Sequence, residues 1–173
     1  SPVLATGKMG NGLTFDGSTD YIDGAAALSG LSSNGVGTWC GWFKPVDATP
    51  SPEPIILSVG DANANTYIAI RIDTSAFTEA FIVDGGTTQW DFTTTSNPFS
   101  DNTWTHIALV HNGTAPLFYA DGQSVGITFP IAPDKTVWLA DLTGLDTLTI
   151  GASNYNSGGV ADHFTGDVDD VRF

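Results

Sequence analysis

The sequence predicts an all-β domain built as a sandwich of two antiparallel sheets, and three observations carry that expectation. Asp, Gly and Thr are abundant and only Glu53 and Glu79 are glutamates among 19 acidic residues. These are weak helix formers but good turn or strand residues. No segment of helical length places apolar residues at three-and-four spacing behind a capped start. Short runs of β-branched and aromatic residues recur instead at near-regular spacing, separated by Gly, Asn, Asp and Pro. With 173 residues, 41% hydrophobic, the chain is one domain with a sizeable core, residues 1–173.

The expected strands run in order from Gly12–Phe15 and Asp20–Asp23 to Thr38–Lys44. The last holds the run Trp39-Cys40-Gly41-Trp42-Phe43, which places Trp39 and Trp42 in the core and makes Cys40 a small buried hydrophobe. Asp47–Pro54 contains Pro50, Pro52 and Pro54 and reads as a loop or sheet edge, because proline cannot donate to a ladder. Ile55–Val59 precedes Tyr67–Ile72, where Tyr67, Ala69 and Arg71 share one face and Ile68, Ile70 and Ile72 the other. Ala80–Val83 and Gln89–Thr93 flank the loose turn Asp84-Gly85-Gly86. Trp104–His111 follows, with Trp104 expected in the core and His106 as a packed histidine. Leu117–Ala120 and Gln123–Phe129 meet at Asp121-Gly122, a hairpin signal because glycine accepts positive φ. Ile131–Leu145, with Pro133, Trp138 and Asp141, is the place for a long functional loop or a helical turn. Leu148–Gly151 and Gly166–Phe173 close the chain.

Six stretches resemble the laminin-G-like, concanavalin-A-like jelly-roll family, in the family's order. Gly7–Ile22 (GKMGNGLTFDGSTDYI) is similar to its opening, and Thr38–Pro45 (TWCGWFKP) to its "T-I-S-a-W-V-K-P" strand. Asn102–Gly113 (NTWTHIALVHNG) and Leu117–Gly122 (LFYADG) resemble its central hairpins; Leu148–Gly151 (LTIG) and Phe164–Phe173 (FTGDVDDVRF) resemble its close. The resemblance spans almost the whole chain and implies a two-sheet jelly-roll sandwich whose first and last strands pair. It leaves function open, because this fold carries lectins, adhesion domains, hydrolases and capsid or fibre parts.

Charge narrows the partners. The formal net charge is −14, a field that repels phosphate backbones and anionic lipid and so disfavours nucleic-acid or membrane-surface binding. No apolar stretch reaches the length of a membrane helix, so no membrane insertion is expected. Catalysis is disfavoured too. Glucanases of this fold resemble E-x-D-x-x-E on one strand, whereas Glu53 and Glu79 are far apart in sequence, and no G-x-S-x-G elbow is present. His111 and His163 read as polar surface. Expected catalytic residues are none.

Related jelly rolls often hold a structural calcium where the first and last strands meet, and the matching residues are Asp16, Asp20 and Asp169. Hard oxygen ligands of this kind suit calcium, although Asp16 and Asp20 equally suit turn capping. Asp61–Asn65 is a second oxygen-rich loop and reads as a turn. For a sugar, aromatic faces and planar polar side chains are needed. Trp90, Trp138 and Tyr155 are the candidates, with Asn154 and Asn156 beside Tyr155 in a polar loop, and Tyr67 behind them. The expectation is a non-catalytic carbohydrate-binding or adhesion module, calcium-stabilised, from a larger protein that is extracellular or on a cell or virion surface. Its partner is then a glycan or a protein surface, and it can be a homo-oligomer within a larger assembly. A structural appendage domain of a virion or cell surface without sugar binding is the alternative, and a glycoside hydrolase the disfavoured one.

Overall fold

Period-two alternation sorts each strand's side chains onto two faces. The computed structural model, which describes Ser1–Phe173, packs the apolar faces of two seven-stranded antiparallel sheets against each other. The first sheet runs β1 (Val3–Thr6), β2 (Asn11–Asp16), β16 (Thr165–Arg172), β4 (Gly37–Pro45), β9 (Thr105–His111), β10 (Pro116–Ala120) and β11 (Gln123–Val125). The second runs β12 (Ile127–Ile131), β8 (Thr87–Thr94), β7 (Thr78–Asp84), β6 (Tyr67–Ile72), β5 (Ile55–Gly60), β13 (Thr147–Ile150) and β3 (Ile22–Asp23). A small hairpin, β14 (Ser153–Asn154) and β15 (Val160–Ala161), stands apart from both sheets.

Each expected strand is present, with ends shifted by a few residues. The opening and closing strands pair as the resemblance implied, Leu13 opposite Val168 and Phe15 opposite Gly166. The Asp121-Gly122 turn has φ of 48° and 75°, both central residues left-handed as a two-residue hairpin loop requires. Gln123–Phe129 divides instead of forming one strand. Around Gly126, whose carbonyl accepts from the Thr95 amide at 2.7 Å, the chain leaves the first sheet and joins the second.

The core lies between the sheets: Phe15, Trp39, Phe43, Ile82, Phe92 and Phe118 are among its fully buried members. Trp42 and Trp104 depart from expectation. Both are half-buried on the outward face of the first sheet, where Lys8 Nζ sits 4.7 Å from the Trp42 ring and Lys44 Nζ 5.9 Å from that of Trp104. Cys40, opposite Ala108, is half-exposed on that face too. His106 packs its ring edge-on to Trp42 on the same surface. His111 is the buried histidine instead, its Nε2 2.9 Å from the Lys135 carbonyl oxygen, and His163 is half-buried with Nδ1 3.2 Å from the Asp20 carbonyl oxygen.

The stretch 131–145, expected as a functional loop or helical turn, closes one end of the sandwich. A single turn of 3-10 helix at Leu139–Asp141 drives Trp138, Leu139 and Leu142 into the core. The Trp138 indole stacks on His111 at 4.8 Å and on Trp90 at 6.4 Å, and Trp90 Nε1 donates to the Val137 carbonyl at 3.0 Å. This helical turn is packing, not a binding loop.

Candidate functional site

Strand alternation in the second sheet turns Ile68, Ile70 and Ile72 inward and leaves Tyr67 and Arg71 of β6 on the outer face. Cross-strand pairing sets Phe81 of β7 beside Ala69 and opposite Asp91 of β8, so these side chains share that face. The excursion after β13 supplies the remaining wall. Tyr155 follows Asn154, and its ring stacks on Tyr67 at 3.8 Å with only 10° between the planes. The result is a cleft of about 290 Å3 lined by Tyr67, Arg71, Phe81, Val83, Asp91 and Tyr155, with Thr88 at its rim.

The Tyr155 loop is held by its own backbone. Asn156 and Ser157 adopt left-handed φ of 58° each, and their amides donate to the carbonyls of Asp61 and Ala62 at 3.1 and 2.7 Å. Asp61–Asn65 is the turn it was expected to be, with Asp61 Oδ1 accepting from the Asn63 and Ala64 amides. Gly60 at the end of β5 makes room for the stack. A Cβ there would lie 2.8 Å from the Cβ of Tyr155 and 2.9 Å from that of Tyr67, so no other residue fits without separating the two rings.

Charge is concentrated at the floor. Arg71 Nε donates to Glu79 Oε2 at 2.6 Å, its NH2 group pairs with the same carboxylate, and NH1 reaches Glu53 Oε2 at 2.9 Å. The guanidinium also lies 5.3 Å from the Phe81 ring. Burial works against this cation, but the hydrogen bond and charge of Glu79, with Glu53 and Asp91 behind them, raise its pKa overall. Asp91 is the opposite case. Burial and the Glu79 charge lift its pKa above the ordinary aspartate value, Arg71 offsets them only in part, and its buried Oδ1 has no hydrogen-bond donor. Burial likewise pushes the phenols of Tyr155 and Tyr67 upward, so both rings remain neutral donors.

The candidates from the sequence therefore separate. Tyr155 lines the cleft, half-buried, with Asn154 partly and Asn156 fully exposed alongside it. Trp90 and Trp138 are corrected: at 0% and 1% exposure their indole faces are covered by each other and by neighbouring core rings, which leaves neither face open to the surface. Arg71, Phe81 and Asp91 were missed. The signal for Arg71 was present in the alternation of Tyr67–Ile72, but the pattern does not say which outward face lies under a loop or which residues of the neighbouring strands join it.

The three aspartates proposed for calcium also fail to converge. Asp16 lies opposite Thr165 at one end of the β2–β16 pairing, and Asp169 sits four residues along β16, about 13 Å away at the rise of a strand. Both Asp16 oxygens accept hydrogen bonds, from the amides of Ser18, Thr19 and Asp20 and the hydroxyls of Ser18 and Thr19. Asp20 binds the Asp16 amide at 3.1 Å and the N-terminal ammonium at 2.9 Å, and Asp169 holds the Met9 amide at 2.7 Å. In this structure each of these carboxylates fastens a turn.

A family model described as the concanavalin A-like lectin/glucanases superfamily matches residues 16–173. No curated protein matches the sequence. Among solved structures, the Ruminococcus gnavus IT-sialidase CBM40 bound to α2,3-sialyllactose superposes with TM-score 0.75 at 16% identity, over 91% of this chain and 85% of that one. The NanB sialidase of Streptococcus pneumoniae (K499G mutant) gives TM-score 0.73 at 18% identity over 92% of this chain but 25% of its own. The SAP-like pentraxin of Limulus polyphemus gives 0.56 at 14% identity, over 92% of this chain and 73% of its own. At such identities the likeness is one of fold.

Proposed function

Since the chain belongs to the concanavalin A-like lectin/glucanases superfamily, we propose that it is a non-catalytic carbohydrate-binding module of an extracellular protein, with its sugar seated in the cleft between Tyr155 and Asp91. The single observation that carries the reading is the cleft's lining. Sugar rings present apolar C–H faces and a rim of hydroxyls, and this cleft opposes aromatic rings to fixed charged groups on rigid strands. The CBM40 neighbour bound to sialyllactose has the same fold, which supports a glycan as the ligand class.

Binding without hydrolysis is favoured by the two glutamates. Far apart in sequence, they meet on either side of Arg71, and both carboxylates are paired with its guanidinium. A glycosidase needs its two carboxyls free to flank the scissile bond.

The test is a glycan array followed by titration of the best binder with the wild type and Tyr155→Ala, each with and without EDTA. Binding unaffected by EDTA and weakened about tenfold or more by the substitution, with an unchanged circular dichroism spectrum, is expected. No binding to any glycan at millimolar concentration overturns the reading.

A further inference from the structure

The cleft's charges point to the kind of sugar it takes, an inference that rests on the cleft being the glycan site. Arg71 is its sole cation, and all three guanidinium nitrogens are already engaged by carboxylates, Nε and NH2 by Glu79 and NH1 by Glu53. A ligand carboxylate could claim the guanidinium fork only by stranding two part-buried glutamates, a loss of charge-assisted bonds it would have to replace. Around that one cation stand three carboxylates, Glu53, Glu79 and Asp91, so the local balance is negative, as is that of the whole chain at −14.

Asp91 adds a specific demand. It lines the cleft and is part-exposed, yet its Oδ1 is buried with no donor. A carboxylate with one oxygen unpaired away from water is costly to keep charged, and a donor in the cleft that meets its outer oxygen, Oδ2, offsets that cost. A positively charged donor recovers more than a neutral one, because the attraction is stronger near a low-dielectric wall than in bulk water.

We propose that the cleft takes an amino sugar, its ammonium group donating to Asp91 and its ring lying against the Tyr155 and Phe81 side of the cleft, and that it rejects sugars bearing a carboxylate. The selectivity is thus opposite to that of a module binding sialyllactose, whose sialic acid carries a carboxylate.

The experiment is a 15N–1H NMR titration of the whole chain, at about pH 6 so that the amine is protonated, with three probes: a glucosamine oligosaccharide, its N-acetylated counterpart and sialyllactose. Shifts centred on Tyr67, Asp91 and Tyr155 are expected for the first, with affinity about tenfold above the second and no saturation by the third. Asp91→Asn removes the preference and brings the first two together. Added salt weakens the glucosamine oligosaccharide alone, a readout that needs no variant. Equal affinity of the wild type for the first two probes, or saturation by sialyllactose at these residues, overturns the inference and leaves the cleft a glycan site. Shifts at the cleft with none of the three probes, and no hit on the array, overturn both.

Discussion

Asp16 holds the opening turn through one carboxylate that accepts from three amides and two hydroxyls. Hydrogen bonding from the Thr19 and Ser18 amides and the Ser18 hydroxyl, with the Asp20 amide, keeps its pKa well below the carboxylate range. A carboxylate bound more tightly in its ionised form stabilises the fold fully above the ordinary aspartate value of about 3.9, and that contribution drains away as pH falls from there through the lowered folded value. Asp91 has the opposite sign, since its raised pKa favours the folded state as pH falls through that value. Only a difference measurement therefore isolates Asp16. By differential scanning calorimetry, Asp16→Asn should lower Tm most at neutral pH, and its deficit should shrink between about pH 4 and pH 2. A deficit constant across that range would mean the carboxylate's charge does nothing in the turn. The motif FDGSTD was legible as either a cap or a metal ligand, because both roles need an oxygen beside a tight turn. Where Asp169 lies relative to them bears on that choice, and strand register across the sheet is not written in the local sequence.

At the level of elements, turns and strands were readable and faces were not. Tyr67–Ile72 is found with its predicted bounds, and Asp121-Gly122 makes its predicted turn. Trp42 and Trp104 were placed inside from their central strands, yet alternation sets them outward, since Trp39 and Phe43 occupy the inward register of β4. The same ambiguity explains Trp138. Aromatic residues in a long, proline-bearing segment suit a binding loop or a lid over the core, and only the packing partner distinguishes them. Here the partners are His111, Trp90 and Trp39. Trp138→Ala empties this end of the core and should cost about 3–5 kcal/mol. Guanidinium unfolding should show a lower midpoint at little-changed slope. The resonances of Tyr155 and Tyr67 should stay in place, because that pair lies on the outer face of the second sheet. Loss of the stacked pair would show that the plug and the cleft fold as one unit.

For the whole molecule, excess negative charge sets a common background to stability and ligand choice. Five cations face 19 carboxylates, and three of the five are already engaged in ion pairs with Asp167, with Glu53 and Glu79, and with Asp170. The remaining carboxylates repel one another across the surface, and a net charge far from zero destabilises a compact state by self-repulsion. Screening shortens that repulsion from about 30 Å at 0.01 M ionic strength to about 10 Å at 0.1 M. Thermal melts in sodium chloride should therefore show Tm rising over this interval and levelling off beyond it. The divalent cations make the same measurement informative about the aspartates. If Asp16, Asp20 and Asp169 only fasten turns, calcium and magnesium chloride at matched ionic strength should raise Tm equally, through screening and loose association with the acidic surface. An excess for calcium, saturating with concentration, would require oxygen ligands to gather around one ion. Those three carboxylates would have to give up the amides they now hold to provide them.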